Sequence, residues 1–401
     1  MHERRSHPKE PMENNSHTPF VRMRRGALAI VICVVALIGV VASPGAAVTT
    51  AASSRTSDWL AAQVSADGSV NIPGETFSTT TQTMYVAQGL AASGEHRDAL
   101  ARAIGYLEQH VNDWVTNDGS GSTVAPPGSD LPERLGSLIL LVRTIGADPR
   151  SFGVPATDLV ARTQALYGIA TVGLYGYEEP YSAVQDQSLV VMALAAVGVA
   201  VPPAAVQWIV SQQCTGGGDA PASIGGWMSY RAPSGGGLVA CTAPDPINYT
   251  GADTNSTAFA LQALTNLGTT APVTAGLAFL HAAQTTSGAQ AGGFPWFTGG
   301  DADPNSTALV IQAILAVGED PAGGAWSSGG QTPVSVLPSW QLTSPASDAG
   351  SLYAAWQPGV PSLLATYQGL WGMTLTKFPF PILSPWPVPV DPVVVVPTFT
   401  G

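Results

Sequence analysis

The chain alternates between more polar helical segments and almost wholly apolar ones, with glycine-rich turns between them. The pattern is clearest at residues 253–268 (DTNSTAFALQALTNLG) and 303–318 (DPNSTALVIQAILAVG). In both, an Asp before an apolar run is an N-cap signal, and the closing Gly is a C-cap signal. Each segment therefore predicts one helix with its own start and stop, and the likeness of the two indicates an internal repeat.

The repeat recurs six times from residue 58, each time as a polar first helix followed by an apolar second helix. Equivalent positions in the second helices are Gln88, Leu140, Met192, Gln262, Gln312 and, with a small shift, Gln368. Helices that are apolar on all sides are typical of an inner layer, and amphipathic helices of an outer layer. We expect an all-α fold, an α/α toroid of about six helical hairpins in two concentric layers, with an open superhelix as the alternative.

The amino terminus predicts export. Arg22, Arg24 and Arg25 precede an apolar run at residues 27–42 and small residues up to Ala47, which is the order of a secretory signal. We predict a signal peptide at residues 1–47, cleaved near Ala47, with Met23 as an alternative start codon. A retained membrane anchor is the competing interpretation. With cleavage, the protein is secreted or at the cell surface and keeps no stable membrane span.

The rest of the chain divides by composition. Residues 48–57 are predicted to be a short linker, residues 58–378 the toroid domain, and residues 379–401 a Pro/Val-rich extended tail.

Charge and cysteine content narrow the function classes. The net charge is −12, and only 10% of the residues are charged. Such an acidic chain repels nucleic acid, which excludes nucleic acid as a partner. Cys214 and Cys241 remain after signal removal, and in an oxidising compartment we predict a disulfide between them. His96, His110 and His281 lack the spacing of metal ligands, so we expect no metal site.

Two junctions between first and second helices carry a further motif, in which a Gln is followed by Gly-Gly and an aromatic residue. The motif comprises Gln213 with 225–227 (GGW), and Gln284 with 292–294 (GGF). It resembles the QW-type repeat of squalene cyclases and protein prenyltransferases, and the resemblance implies an α/α toroid with six inner and six outer helices. The Gln is expected to bond free helix-end groups, and the Gly to permit a tight turn. The closing segment 364–379 is also similar to the end of the helical domain of cobalamin carriers.

The cyclase resemblance implies an Asp-x-Asp-Asp-Thr-Ala motif whose central carboxylic acid protonates an alkene. The matching stretches here are DTNSTA at 253–258 and DPNSTA at 303–308, so the acid position holds Asn255 or Asn305. An amide has no acidic proton to donate. We therefore interpret Asp253 and Asp303 first as helix caps, and we expect a non-catalytic protein rather than an enzyme.

Two carboxylate clusters are weak catalytic candidates. Asp301 and Asp303 are close in sequence and can share a proton if both are buried, which raises the pKa of one of them. Asp253 is a third catalytic candidate. Glu178 and Glu179 lie beside Tyr175, Tyr177 and Tyr181, a composition that suits an acidic, aromatic-lined patch. An adjacent Glu pair before Pro180 and an Asp-Ala-Asp-Pro turn are both usually solvated loops. The zinc site and basic diphosphate pocket that a prenyltransferase requires are missing from the pattern.

Neutral polar side chains on the inner helices predict a binding site. The candidates are Thr83, Gln88, Asn255, Thr257, Gln262, Asn305, Thr307 and Gln312. Convergent amides and hydroxyls suit a small uncharged polar or apolar ligand, although the same groups also cap neighbouring helices. We expect an exported ligand-binding or cell-surface module without a cofactor. The alternatives are a terpenoid cyclase-like enzyme with a displaced acid, and a cobalamin-binding protein that lacks the usual second domain.

Overall fold

The computed structural model describes residues 44–119 and 123–386, which form helices in two layers. The inner helices are α2 (Thr79–Ser93), α5 (Pro132–Thr144), α7 (Ala183–Ala196), α9 (Thr254–Asn266), α11 (Pro304–Ala316) and α13 (Leu363–Met373). The outer helices are α1 (Pro44–Ala62), α3 (Arg97–Gln109), α4 (Val111–Val115), α6 (Leu159–Ala165), α8 (Pro203–Ser211), α10 (Ala271–Ala283) and α12 (Pro333–Val336). Two antiparallel ribbons lie in the loops: β1 (Pro233–Ser234) with β2 (Gly237–Leu238), and β3 (Phe294–Pro295) with β4 (Ala302–Asp303).

The layers close into a ring. Going around the ring, α5, α7, α9, α11 and α13 pack each against the next, and α13 packs back against α2. Helix α1 contacts both α2 and α13, so the outer layer closes at the same place. The packing of α2 against α5 is sparser than at the other inner pairs. The predicted toroid is confirmed, and the open superhelix is excluded.

The Gln and Gly-Gly-aromatic motif has a structural role. The hydroxyl of Thr257 on α9 accepts a hydrogen bond from the backbone N–H of Trp227 at 3.0 Å. Gly225 has φ of +92°, and a Cβ there would lie 2.3 Å from the carbonyl oxygen of Ala275 on the next outer helix. Only glycine fits so close an approach at a positive φ. Gln213 donates to two backbone carbonyls at 2.9 Å, as expected of a group that bonds helix ends.

The predicted linker at 48–57 is wrong, because these residues belong to α1. The guanidinium of Arg55 donates to Oε1 of Gln341 at 3.0 and 2.6 Å. The hydroxyl of Thr56 donates to the carbonyl of Gly350 at 2.8 Å. This Ala/Ser/Thr-rich stretch has little hydrophobic pattern of its own, and its partners lie almost 300 residues away. Residues 1–43 of the predicted signal lie outside the described part of the chain.

The predicted boundary at residue 379 also falls inside the fold. Residues 377–386, here called the C-terminal strap, cross the C-terminal ends of the inner helices. Lys377 donates to a carbonyl at the end of α11 at 3.1 Å, and the N–H of Leu383 donates to the last residue of α5 at 2.7 Å. Phe378 and Phe380 are 2% and 3% exposed. The strap contains neither helix nor strand, and its phenylalanines belong to the hydrophobic core.

The predicted disulfide is confirmed. Cys214 and Cys241 are bonded, with their Cα atoms 5.9 Å apart. The bond closes the glycine-rich loop 214–241, which carries β1 and β2. Inside this loop Arg231 pairs with Asp219 at 3.0 Å, and Asp219 also accepts the N–H of Cys241 at 2.7 Å.

Neither a membrane-spanning helix nor a metal-binding cluster occurs within residues 44–119 and 123–386. No helix there is both long and apolar enough to cross a bilayer. No set of three or more His, Cys, Asp and Glu side chains in the same ranges is arranged to hold a metal ion.

Candidate functional site

The ring surrounds a central cavity that opens at the N-terminal ends of the inner helices. An inner chamber of about 310 Å³ adjoins an outer mouth of about 440 Å³. Both are lined by Tyr85, Glu133, Arg134, Ser182 and Asp186. Phe378 of the C-terminal strap lines the inner chamber and lies at the opposite end. The cavity is large enough for a small organic ligand.

One wall of the cavity is a series of aromatic rings. Tyr85 of α2 stacks on Tyr367 of α13, with ring centroids 4.5 Å apart. Tyr367 meets Trp371 edge to face at 4.9 Å, and Trp371 meets Phe378 edge to face at 5.1 Å. Burial raises the pKa of Tyr85 to about 12 and also raises the pKa of Tyr367, so both phenols stay neutral. Aromatic rings carry a negative potential on their faces, so a wall of such rings suits an apolar or cationic group.

An acidic group lies across the ring from this wall. Asp186, in the first turn of α7, is 3% exposed and accepts a hydrogen bond from the hydroxyl of Ser182 at 2.9 Å. Burial raises the pKa of Asp186 well above its usual value, and the nearby charge of Glu133 raises it further, while the bond from Ser182 opposes the shift. Helix α7 lies three positions around the ring from α13. The carboxyl group therefore keeps its proton to a higher pH than an ordinary Asp, on the wall opposite the stacked rings.

Glu133 provides a second carboxyl group in a different environment. Burial raises its pKa as well, but Arg134, 3.5 Å away, opposes this shift. The Glu133 side chain keeps 35% of its surface accessible, so solvent reaches it more readily than Asp186. Arg134 is fixed over the ring of Trp114, 5.0 Å from the centroid. Neighbouring carboxyl groups with such different surroundings suit a pair in which Asp186 is the acid and Glu133 the base.

The sequence candidates for catalysis lie elsewhere. Asp253 and Asp303 are N-caps, accepting the backbone N–H groups of Ser256 and Ser306 at 2.7 and 2.8 Å. Burial raises the pKa of each carboxyl to about 6. Asp301 is exposed, so the condition for proton sharing with Asp303, that both are buried, is not met.

The Glu178–Glu179 patch is half-buried and only partly in the cavity. Glu179 lines the mouth and accepts the N–H of Val124 at 3.0 Å and the hydroxyl of Thr123. Tyr181 also lines the mouth. Glu178 instead accepts a bond from Thr171 at 2.7 Å.

The predicted binding side chains divide into three groups: the threonines, the amides at the inner chamber and the remaining amides. The hydroxyls of Thr83, Thr257 and Thr307 each accept a backbone N–H at 2.9 to 3.0 Å from the loop ahead of their helix. Gln88 lines the inner chamber, and Asn305 donates to Gln368, which also lines it, at 3.0 Å.

The remaining predicted amides are close-packed or half-buried. Gln262 accepts the N–H of Phe378 at 3.3 Å. Gln312 is fully buried, and its amide has no hydrogen-bond partner among the described residues. Asn255 is half-buried in the first turn of α9.

Asp186 and Glu133 were missed by the sequence analysis. A signal for Asp186 was present, because an acidic residue opens the otherwise apolar segment 185–198 (QDQSLVVMALAAVG). Glu133 similarly opens an apolar helix, directly after Pro132. Neither residue belongs to a motif, so only the packing of α5 beside α7 reveals that they meet.

Solved structures show that this fold is shared with enzymes. The type II terpene cyclase MstE from Scytonema, as an apo single-residue variant, matches with a TM-score of 0.51 and 12% identity over 83% of this chain and 98% of that chain. Another MstE structure, with its substrate geranylgeranyl dihydroxybenzoate, matches with a TM-score of 0.52 and 14% identity over 83% and 98%. An unsaturated glucuronyl hydrolase specific for heparin matches with a TM-score of 0.53 and 13% identity over 82% and 96%.

At such low identities these matches establish the α/α toroid and nothing about the chemistry. No family model matches the sequence, and no curated protein matches it.

Proposed function

We propose that the central cavity binds an apolar or uncharged ligand, and that the protein is a terpenoid cyclase-like enzyme whose acid has moved to Asp186. The single observation that carries the proposal is a buried carboxyl group with a raised pKa opposite a wall of stacked aromatic rings. In this arrangement the cyclase-like proton donor lies on α7, whereas the sequence resemblance placed it on α9 or α11. A perturbed acid in a concave site is the expected signature of general acid catalysis.

The chemistry follows from the two walls. The Asp186 O–H transfers its proton to one carbon of an alkene, whose π electrons form the new C–H bond, and the carboxylate keeps the O–H electron pair. The adjacent carbon becomes cationic, and the faces of Tyr85, Tyr367 and Trp371 stabilise it through cation–π attraction. A second double bond then attacks this carbon, and the final cation loses a proton to the Glu133 carboxylate. The product is an isomer of the substrate.

The test uses farnesol and geranylgeraniol as substrates, with products identified by gas chromatography and mass spectrometry. We expect a cyclised isomer of unchanged mass, and a loss of at least about 100-fold in turnover for Asp186→Asn, the usual contribution of a general acid. Asp303→Asn is the matched control, because Asp303 is also buried with a raised pKa but its side chain caps a helix. Unchanged turnover in folded Asp186→Asn would refute the assignment.

A non-catalytic ligand-binding module is the second candidate. Trp371 lines the inner chamber, and its buried indole N–H has no hydrogen-bond partner among the described residues, which leaves a donor for a polar ligand. Quenching of tryptophan fluorescence by farnesol without turnover would support this candidate and reject the enzyme. A corrinoid is larger than the drug-sized ligands that chambers of about 310 and 440 Å³ accommodate. A cobalamin carrier is therefore the least favoured of the three hypotheses.

Export remains part of the proposal. The basic and apolar N-terminal segment and the disulfide between Cys214 and Cys241 both favour an oxidising compartment outside the cytoplasm. The mass of the protein recovered from culture medium provides the test. A mature chain that starts near residue 48 is expected, and exclusive recovery of the intact chain from the cytosol would contradict export.

A further inference from the structure

A second cavity, here called the rim cleft, lies on the same face of the toroid as the central mouth. It has a volume of about 430 Å³ and shares no lining residue with the chambers of the central cavity. The loops ahead of α9, α11 and α13 form it, whereas those ahead of α2, α5 and α7 form the central mouth. Its lining includes Tyr249, Trp296, Phe297, Trp356, Asp301 and Asp303.

The aromatic rings of the rim cleft form a tilted group rather than a flat platform. Tyr249 and Trp296 have ring centroids 5.3 Å apart and planes inclined by 33°. Trp296 and Phe297 are 5.1 Å apart and inclined by 42°, and Tyr249 meets Phe297 at 60°. Trp356 provides a further indole that is 68% exposed. Rings that present faces from several directions suit a compact, rounded group.

The loop that carries Tyr249 is held in place. Asp245 accepts the N–H groups of Ile247 and Asn248 at 2.8 and 3.1 Å and the side-chain amide of Asn248 at 2.7 Å. Tyr249 itself has φ of +55°, in the left-handed region that disfavours bulky residues. Tyr249 is nevertheless half exposed to solvent, at 52% of the residue surface. Residues held in sparsely populated backbone regions cluster at active sites and ligand clamps, and this one keeps an aromatic side chain in the lining of the rim cleft.

The charges of the rim cleft select the sign of the ligand. Asp301 is exposed, and Asp303 contributes a second carboxyl group, while no Lys or Arg occurs among the described lining residues. We propose that the rim cleft binds an organic cation of the quaternary ammonium class, held against the faces of Trp296, Trp356 and Tyr249 with Asp301 as counter-ion. An anionic ligand is repelled, and a neutral one gains nothing from the carboxylates.

The experiment compares choline with 3,3-dimethyl-1-butanol, its neutral isostere, by titration calorimetry on the full mature protein. We expect choline to bind and the alcohol to bind at least about tenfold more weakly, since only the cation is attracted by ring faces and carboxylate. Asp301→Asn and Trp356→Ala, both at exposed positions, are each expected to weaken choline binding by at least about threefold without changing the melting temperature. Tyr249→Gly relieves the positive φ and removes the ring. It is therefore also expected to weaken choline binding.

Several results would overturn the proposal. Equal affinity for choline and its neutral isostere would exclude a cation site. Unchanged choline affinity in both Asp301→Asn and Trp356→Ala would place binding elsewhere. Binding of maltohexaose but not choline would make the cleft a sugar site.

Asp186→Asn separates the two cavities: it is expected to abolish turnover while leaving choline affinity unchanged, so failure of one proposal does not imply failure of the other.

Discussion

The buried helix caps make a quantitative prediction about pH and stability. Asp303 is 5% exposed, and burial raises the pKa of its carboxyl from 3.8 to about 6. The folded protein therefore binds this proton more tightly than the unfolded chain does. Between pH 4 and pH 6 the unfolded state loses the proton first, so the free energy of unfolding falls as the pH rises. A shift of this size corresponds to about 3 kcal/mol, present below pH 4 and lost above pH 6.

Asp303→Asn removes the charge and keeps the cap. The amide oxygen accepts the N–H of Ser306 as the carboxylate does, and Asn is as good an N-cap as Asp. The Ser306 hydroxyl, which donates to Asp303 at 3.0 Å, can turn to accept from the amide. We expect the variant to match the native protein at pH 4 and to exceed its stability by up to about 3 kcal/mol at pH 7.

The assay is urea unfolding followed by tryptophan fluorescence, at intervals from pH 4 to pH 8. All other titrating groups are common to both proteins, so the difference between their curves isolates residue 303. Asp303→Ala is the control for the cap and is expected to lose about 1 kcal/mol at pH 4. A difference between native protein and Asp303→Asn that stays constant with pH would show that the carboxyl group is not desolvated, and would refute the reasoning.

Three further substitutions test the fold by chemical or thermal unfolding. Gly292→Ala is expected to lower the free energy of unfolding by at least about 2 kcal/mol, because its Cβ would lie 2.6 Å from the carbonyl oxygen of Gln331. Gly288→Ala is the control, because Gly288 also has a positive φ but lies in open space, and it should lower stability less. Cys241→Ser is expected to lower stability by about 3 kcal/mol through loss of the disulfide loop, and equal stability of oxidised and reduced native protein would contradict this. Phe378→Ala is expected to lower the free energy of unfolding by about 3–5 kcal/mol and to widen the inner chamber. The loss is smaller if the C-terminal strap collapses into the space.

The sequence predicts the structure best where a local pattern repeats. The caps at Asp253 and Asp303 and the glycines at 268 and 318 mark the ends of α9 and α11 without any long-range information. The motif around Gln213 identified how the two layers join. A disulfide was predictable because Cys214 and Cys241 are the only cysteines left after the proposed signal.

The local pattern failed at both ends of the described fold. The Ser/Thr-rich start of α1 lacks hydrophobic periodicity and is held by Gln341, while the C-terminal strap looks like a tail and packs as core. In each case the stabilising partner is remote in sequence. No window of neighbouring residues contains that information.

The sequence alone determined the repeat, the two layers and the role of the junctions, because each depends on residues a few positions apart. Only the tertiary structure decided which side chains come together to form the candidate sites. Closure of the ring sets Asp186 of α7 opposite Tyr367 of α13 and gathers Trp296 and Trp356 at the rim. The pKa of a carboxyl group rises when the surrounding helices remove water from it, so the group keeps its proton to a higher pH. That desolvation is a property of the assembled ring rather than of any segment.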